Sequence, residues 1–127
     1  MAGAQTLKIK IQIYCGAEIA MGPGKADLLD AIKAEGSISG AGRKLGMSYR
    51  RTWLLVDAMN RCWEQPLVET AAGGSHGGGA QVTVLGEQVL GHYRALLGVS
   101  RAVEQGADWR ALHEVLRGEP KAAQGDP

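Results

Sequence analysis

Hydrophobic and polar residues alternate along residues 7–14, which is the pattern of a half-buried β-strand. The odd positions are all large and apolar (Leu7, Ile9, Ile11 and Ile13). Residues 16–24 follow with glycines and one proline, and they predict a loop. From Lys25 the apolar positions recur at helical spacing, and the helix is expected to end at Gly36, because glycine is common directly after a helix.

Two further helices are predicted between residues 37 and 63, joined by a tight turn. Ser37 and Ser39 are candidate N-terminal caps of a short helix that ends at Gly46. Ser48 can cap a longer helix of residues 48–63, whose apolar spacing predicts a buried stripe of Thr52, Val56, Met59 and Trp63. Two helices joined through residues 45–48 are typical of a helix-turn-helix, whose turn commonly contains glycine.

A β-hairpin is predicted after Pro66. Residues 67–70 and 81–84 are short β-like runs, and the glycine-rich stretch between them carries no charged residue. Thr83 can cap a helix that runs to about Gln105, and Asp108 can cap a last short helix. A helix-turn-helix followed directly by a hairpin is the element order of a winged helix-turn-helix, in which the hairpin is the wing.

The predicted fold class is therefore α+β, mainly α-helical with a small β-hairpin. We predict a winged helix-turn-helix domain over residues 7–84, C-terminal helices over residues 85–117 and a flexible tail over residues 118–127. The apolar stripe of the helix after Thr83 exceeds what a core of about 70 residues needs, so we expect these helices to form a homodimer through Val89, Tyr93, Leu96 and Val103. The alternative is that this stripe packs on the N-terminal strand and first helix of the same chain.

The net charge of the chain is close to zero, but the charge is unevenly distributed. Among 127 residues, 14 Lys and Arg against 13 Asp and Glu give a formal charge of +1. Residues 36–63 alone sum to +4, which leaves −3 for the remainder. Because phosphate neutralisation is a local effect, a nearly neutral chain is still compatible with a nucleic-acid partner.

Other classes of function find no support in the sequence. Cys15 and Cys62 lack the spacing of a metal site or a disulfide framework, and both are expected to be reduced thiols, with Cys62 in the core. No apolar run is long enough for a membrane span and no signal peptide is visible, so a cytoplasmic protein is expected. Without paired carboxylates, a metal-ligand set or a nucleophile with its base, we expect no enzymatic activity, catalytic residue, metal or cofactor.

The N-terminal end of the 48–63 helix carries the side chains best suited to contact DNA, since a helix-turn-helix places this end in the major groove. Arg50 and Arg51 are expected to point away from the buried stripe, where each could contact guanine or phosphate. The alternative is that they only form a solvated helix face. Trp53 is expected to pack rather than to stack on bases.

Phosphate contacts complete the predicted interface. Hydroxyl groups and free N–H groups at helix starts bind phosphate oxygens. The hairpin tip could touch the DNA backbone, and the alternative is a flexible loop that makes no contact. The predicted DNA-binding residues are Ser37, Ser39, Arg43, Ser48, Tyr49, Arg50, Arg51, Ser75 and His76.

The string from Gly36 to Trp53, continued to Asn60, strongly resembles the N-terminal winged-helix domain of the molybdate-responsive transcriptional regulator (ModE) family, which is related to LysR-type DNA-binding domains. Supporting pieces are residues 22–25, residues 66–69 and the glycine-rich hairpin tip, and Thr83 with Gly86 at the start of the next helix. The resemblance covers about residues 7–100.

This resemblance implies a bacterial, homodimeric regulator that binds an inverted repeat in double-stranded DNA, with recognition residues at Ser48, Tyr49, Arg50 and Arg51. Family members also carry C-terminal molybdate-binding domains. The residues after the hairpin are few and have helical patterns, so we expect no such domain and no molybdate binding by this chain. The alternative function is a winged-helix module for protein–protein interaction without strong DNA binding, which the uncharged hairpin tip and the apolar C-terminal helices motivate.

Overall fold

The computed structural model describes residues 5–71 and 79–125, which belong to two compact units. One unit is Lys10–Leu96, and the other consists of the chain from Leu97 onward together with the residues before Lys10. The described part contains five α-helices, one 3₁₀-helix and two antiparallel two-stranded sheets. The α+β class is thus confirmed, with two hairpins rather than the single one expected. No helix within these ranges is long and apolar enough to cross a membrane.

The first hairpin differs from the expected long strand and loop. Strand β1 is only Ile13–Cys15, and the predicted loop contains strand β2, Glu18–Met21, which pairs with it antiparallel. A two-residue turn becomes possible because Gly16 has a positive φ of 59°, which costs glycine nothing. The predicted strand over residues 7–14 is confirmed only at its last two residues, because the short β2 gives hydrogen-bonding partners only to the end of that run.

Helix α1, Pro23–Glu35, begins slightly before the predicted start and ends where expected. Pro23 occupies the first turn, where its missing N–H is not needed. The Gly36 N–H donates to the Ile32 carbonyl oxygen over 2.8 Å and closes the helix. The buried side of α1 is the centre of the Lys10–Leu96 unit and consists of Ala26, Leu28, Leu29, Ala31 and Ile32.

Helices α2, Ile38–Leu45, and α3, Tyr49–Cys62, confirm two predicted caps. The Ser37 hydroxyl accepts a hydrogen bond from the Gly40 N–H, and the Ser48 hydroxyl accepts one from the Arg51 N–H. Ser39 is not the cap but lies in the first turn of α2. The buried side of α3 is Thr52, Val56 and Met59, as predicted, but Trp63 follows the end of the helix and is only half-buried, so its place in the predicted stripe was wrong.

The two helices approach each other closely at Gly42. A Cβ atom at this position would lie 2.5 Å from the Thr52 hydroxyl oxygen and 3.3 Å from the Met47 carbonyl oxygen. Thr52 is fully buried, and its hydroxyl donates to the Ser48 carbonyl oxygen over 2.8 Å. The angle between α2 and α3 therefore depends on a glycine in α2 and on a buried threonine in α3.

The second hairpin consists of β3, Val68–Thr70, and β4, Ala80–Val82, which pair antiparallel with Val68 opposite Val82. After β4 the predicted cap Thr83 is confirmed, because its hydroxyl accepts a hydrogen bond from the Gly86 N–H. The same hydroxyl donates to the Pro66 carbonyl oxygen over 2.8 Å. The residues on either side of the hairpin are thus joined at its base.

The long C-terminal helix is shorter than predicted. Helix α4 is Val84–Ser100 and is followed by a 3₁₀-helix, Arg101–Gln105, so the expected continuous helix to Gln105 was wrong. The Ser100 hydroxyl donates to the Leu97 carbonyl oxygen and so competes with the helix for backbone partners. Helix α5, Ala107–Val115, has Gly106 at its N-cap, whereas the expected cap Asp108 lies inside its first turn.

Candidate nucleic-acid interface

The first turn of α3 presents a cluster of exposed polar and aromatic side chains. Ser48 caps the helix, and Tyr49, Arg50 and Arg51 are all exposed. Arg50 and Leu54 each lie two residues from the fully buried Thr52, about 160° around the helix axis from it. They form the outermost face of α3, and Leu54 is 57% exposed there.

Arg50 and Arg51 differ in their surroundings, although the sequence predicts the same role for both. Arg50 lies on the outermost face of α3. Arg51 lies on the flank toward α1, where it lines a cavity of about 270 Å³ together with Gly24, Asp27, Leu45, Met47 and Leu55. The first turn of α3 therefore directs its two cations to two different surfaces.

Tyr49 and Trp53 lie together on the opposite flank of α3. Their rings meet edge to face, with centroids 6.2 Å apart. Both line a cavity of about 400 Å³, bounded by the start of α2 and the strands of the second hairpin (Ile38, Ser39, Thr70, Ala71, Gly79 and Ala80). Trp53 thus packs against Tyr49, as expected, but it is still 36% exposed.

The positive charges of this region are of two kinds. Arg43, Lys44, Arg50 and Arg51 are exposed and form no ion pair with any residue that the structure describes. Arg61 is engaged, with its guanidinium 2.8 Å from the Asp57 carboxylate and 3.0 Å from the Glu18 carboxylate. Its hydrogen bond to Asp57, and to a smaller extent that to Glu18, raises the pKa of Arg61 above the ordinary value. The available positive charge is therefore concentrated on α2 and on the first turn of α3.

Lys25 is a cation that the sequence did not single out. It is half-buried in the first turn of α1. Burial lowers its pKa, and the positive charge of Arg51 acts in the same direction, whereas Cys62 and Glu18 oppose the shift. The charge of Arg51 thus acts on Lys25 at the start of α1, which only the folded chain could reveal because the two residues are distant in sequence.

Asn60 is a second residue that sequence reasoning missed. Its side-chain oxygen accepts hydrogen bonds from the Leu67 and Val68 N–H groups, and its amide nitrogen donates to the Val68 carbonyl oxygen over 3.0 Å. Asn60 therefore attaches the second hairpin to α3. No local pattern signals this role, because it depends on a strand later in the chain.

The remaining predicted site residues lie in several places. Ser37 and Ser39 are half-buried at the start of α2, and Arg43 is exposed in its last turn. Ser75 and His76 lie outside the described residues. Among the proposed dimer residues, Val89 and Tyr93 are buried within the chain, whereas Leu96 and Val103 are 49% and 55% exposed.

Tyr93 is anchored inside the Lys10–Leu96 unit. Its hydroxyl donates to the Ile11 carbonyl oxygen over 2.9 Å. Burial, with a further contribution from the charge of Asp27, raises the pKa of Tyr93. Tyr93 therefore packs against the N-terminal segment of its own chain, which was the alternative to a dimer contact.

Comparison with known proteins identifies relatives of one kind. The chain is 39% identical over 98 residues to "Molybdenum transport protein ModE" of Azotobacter vinelandii, which covers 76% of this chain and 36% of that protein. It is 35% identical over 91 residues to "DNA-binding transcriptional dual regulator ModE" of Escherichia coli (strain K12), which covers 72% of this chain and 32% of that protein. It is also 42% identical over 78 residues to "Molybdenum-pterin-binding protein MopA" of Rhodobacter capsulatus, covering 61% of this chain and 29% of that protein.

The chain spans about a third of the length of the curated relatives that it matches. No protein-family model matches it. The binding of molybdenum and of DNA stated in the relatives' names describes those proteins. The matches to the two ModE proteins cover 72–76% of this chain at 35–39% identity, and the chain therefore belongs to the ModE family.

Proposed function

We propose that the chain is a sequence-specific, double-stranded-DNA-binding transcriptional regulator. The α2–turn–α3 pair and the second hairpin would form a winged helix-turn-helix, with α3 in the major groove. The observation that carries this proposal is the exposed first turn of α3, where Arg50 and Arg51 have no ion-pair partner among the described residues. The relatives named as transcriptional regulators support it at the level of the family.

We assign different roles to the two arginines because they face different surfaces. Arg50, on the outermost face of α3, would contact base edges, and bidentate contact with guanine is the commonest specific contact of arginine. Arg51, beside the start of α1, would contact the phosphate backbone together with Lys25. Ser48 and Tyr49 would donate to phosphate oxygens at the same edge of the groove.

The start of α2 supplies further backbone contacts in this proposal. Ser37 and Ser39 lie where the first N–H groups of α2 point outward, and such helix starts attract anions. Arg43 is exposed in the last turn of α2 and adds positive charge. These residues would position the domain on the duplex, and Arg50 would supply the sequence preference.

We further propose that the regulator is a homodimer on an inverted repeat. Support comes from large apolar side chains that the chain leaves exposed in its C-terminal part, among them Leu96, Val99, Val103 and Leu112. Val89 and Tyr93 are already buried within one chain, so Leu96 and Val103 are the residues of the predicted set with surface left to bury.

DNA binding is tested by fluorescence titration of the chain against genomic fragments at about 50 mM salt, repeated at rising salt concentration. We expect measurable affinity that declines as the salt concentration rises, because the release of counterions from the DNA then becomes less favourable. The proposal fails if no fragment binds at low salt, or if the affinity does not respond to salt.

The division of labour between the arginines is tested on a selected binding site and on its single-base variants. Arg50→Ala should cost about 1–3 kcal/mol on the best site and relax the preference at one or two base pairs. Arg51→Ala should weaken binding to all sequences to a similar extent and reduce the salt dependence by about one unit of slope.

Arg117→Ala is the matched control, because it removes the same charge from an exposed residue of the C-terminal segment. It should leave both affinity and sequence preference unchanged. Equal sequence-independent losses for Arg50→Ala and Arg51→Ala would contradict the assignment of Arg50 to base contact.

The second candidate function is a protein-interaction module with the same fold. The observation that favours it is the apolar surface on α3, where Tyr49, Trp53 and Leu54 are exposed beside the arginines. Loss of a co-purified protein partner on Leu54→Asp, in a chain that binds no DNA at low salt, would establish this alternative instead.

A further inference from the structure

Cys15 and Cys62 are distant in sequence, but both neighbour Glu18. Cys15 is the last residue of β1 and is paired with Glu18 across the turn of the first hairpin. Directly opposed residues of an antiparallel pair direct their side chains to the same face. The Glu18 carboxylate in turn lies 4.0 Å from the Cys62 sulfur, at the C-terminal end of α3. Both cysteines are free thiols.

The two thiols have different environments. Cys15 is exposed, whereas Cys62, which was expected in the core, is half-buried. Burial raises the pKa of Cys62, and so do a hydrogen bond to the Cys15 side chain and the charge of Glu18, with Arg61 opposing. Cys62 is therefore held as a neutral thiol beside a solvent-accessible second sulfur.

We propose that Cys15 and Cys62 form an oxidation site, at which a hydroperoxide converts the two thiols into an intrachain disulfide between the first hairpin and the end of α3. The proposal does not depend on DNA binding. It rests on Glu18 lying opposite Cys15 and 4.0 Å from the Cys62 sulfur, and on the greater exposure of Cys15 to an oxidant in solution.

The chemistry proceeds in two balanced steps. The Cys15 thiolate attacks the terminal oxygen of the hydroperoxide, the O–O bond breaks, and Cys15 becomes a sulfenic acid while the alkoxide takes a proton to leave as an alcohol. The Cys62 sulfur then attacks the Cys15 sulfur, the S–O bond breaks, and hydroxide leaves as water with the proton of Cys62. The Glu18 carboxylate, 4.0 Å from the Cys62 sulfur, can accept that proton. Overall, two thiols are oxidised and one peroxide is reduced.

The site is tested by treating the reduced chain with stoichiometric hydrogen peroxide, followed by alkylation, intact mass measurement and a non-reducing peptide map. We expect loss of the mass of two hydrogen atoms, no alkylation, and one cross-linked peptide pair containing Cys15 and Cys62. The product should run as a single chain on a denaturing gel and should revert on reduction.

Single variants separate the two roles. In Cys62→Ser, Cys15 should stop at a sulfenic acid that a dimedone probe traps, because the resolving thiol is missing. In Cys15→Ser, Cys62 should remain reduced at the same dose, since it is half-buried and neutral. Faster oxidation of Cys62 than of Cys15 would overturn the proposal.

Unfolding the chain provides the control for proximity. In denaturant the disulfide should form about tenfold more slowly or less completely, because the fold no longer holds the sulfurs together. An unchanged rate in denaturant would contradict the inference. A disulfide between two chains, or sulfinic acid at Cys15 with Cys62 still free, would contradict it as well.

Discussion

At the scale of single residues, Asn60 connects two elements with one side chain. Its amide satisfies the Leu67 and Val68 N–H groups and the Val68 carbonyl oxygen, where the chain turns from α3 into β3. Because both Leu67 and Val68 are buried, these backbone groups have little access to water. Asn60 therefore sets the position of the second hairpin against α3.

We expect Asn60→Ala to lower the free energy of unfolding by about 1–3 kcal/mol, because it leaves partly buried backbone groups without partners. Asn60→Asp is the matched control, since it keeps an oxygen for the two N–H groups and loses only the donor to Val68. Urea denaturation followed by circular dichroism measures both. An Asn60→Asp variant as unstable as Asn60→Ala would show that the hydrogen bonds to the two N–H groups contribute little to stability.

Tyr93 predicts a pH dependence. Because folding raises its pKa above the ordinary value of 10.0, the protonated form is favoured in the folded chain. This contribution to stability is complete below pH 10 and is lost as the pH rises through the higher folded pKa.

Tyr93→Phe removes the hydrogen bond to Ile11 and should lower the free energy of unfolding at pH 7 by about 0.5–1.5 kcal/mol. The difference between the original chain and the variant should stay constant to about pH 9 and shrink above about pH 10. Denaturation curves at several pH values measure it. A difference that grows above pH 10 would contradict the raised pKa.

At the scale of elements, the contact between α2 and α3 depends on volume at one position. Gly42 faces Thr52 so closely that an added methyl group would overlap the threonine hydroxyl. Dense interiors do not absorb such an addition without movement of the backbone. The orientation of α3, and with it the direction of Arg50, is therefore sensitive to this contact.

Gly42→Ala should lower the free energy of unfolding by about 1–3 kcal/mol, and Gly42→Ala with Thr52→Ala should lose less than the sum of the two single variants. Gly91→Ala is the control. A Cβ atom there meets nothing within 4 Å in α4, and alanine favours helices, so stability should be unchanged or increased by up to about 1 kcal/mol. Thermal denaturation compares the variants, and a neutral Gly42→Ala would refute the close contact.

At the scale of the whole molecule, the proposed dimer would bury apolar side chains that the C-terminal part of one chain leaves exposed. Leu96→Glu places a charge at a position that one chain leaves half-exposed. If that surface is buried between two chains, sedimentation at low micromolar concentration should change from dimer to monomer, and affinity for an inverted repeat should fall.

Gln88→Glu is the control for added charge on an exposed position of α4, and it should change neither measurement. Circular dichroism should be the same for both variants and the original chain. A Leu96→Glu chain that sediments as the original chain does would remove Leu96 from the proposed interface.

The sequence by itself determined the features that depend on near neighbours. Gly36, Ser37, Ser48 and Thr83 mark helix ends correctly because a cap is a contact between residues a few positions apart. The buried stripe of α3 was also predictable, since one helical period describes it. The resemblance to the ModE family rested on the same stretch and was confirmed by the relatives.

Only the tertiary structure decided the features that require a partner from elsewhere in the chain. The first hairpin depends on how far β2 extends. The ion pair of Arg61 and the 4.0 Å contact of the Cys62 sulfur both depend on Glu18, which lies in β2. The different surroundings of Arg50 and Arg51 likewise depend on where α1 packs. Local patterns specify which residues a helix exposes, but the neighbours of an exposed residue are set by long-range packing, and those neighbours determine what its side chain can bind.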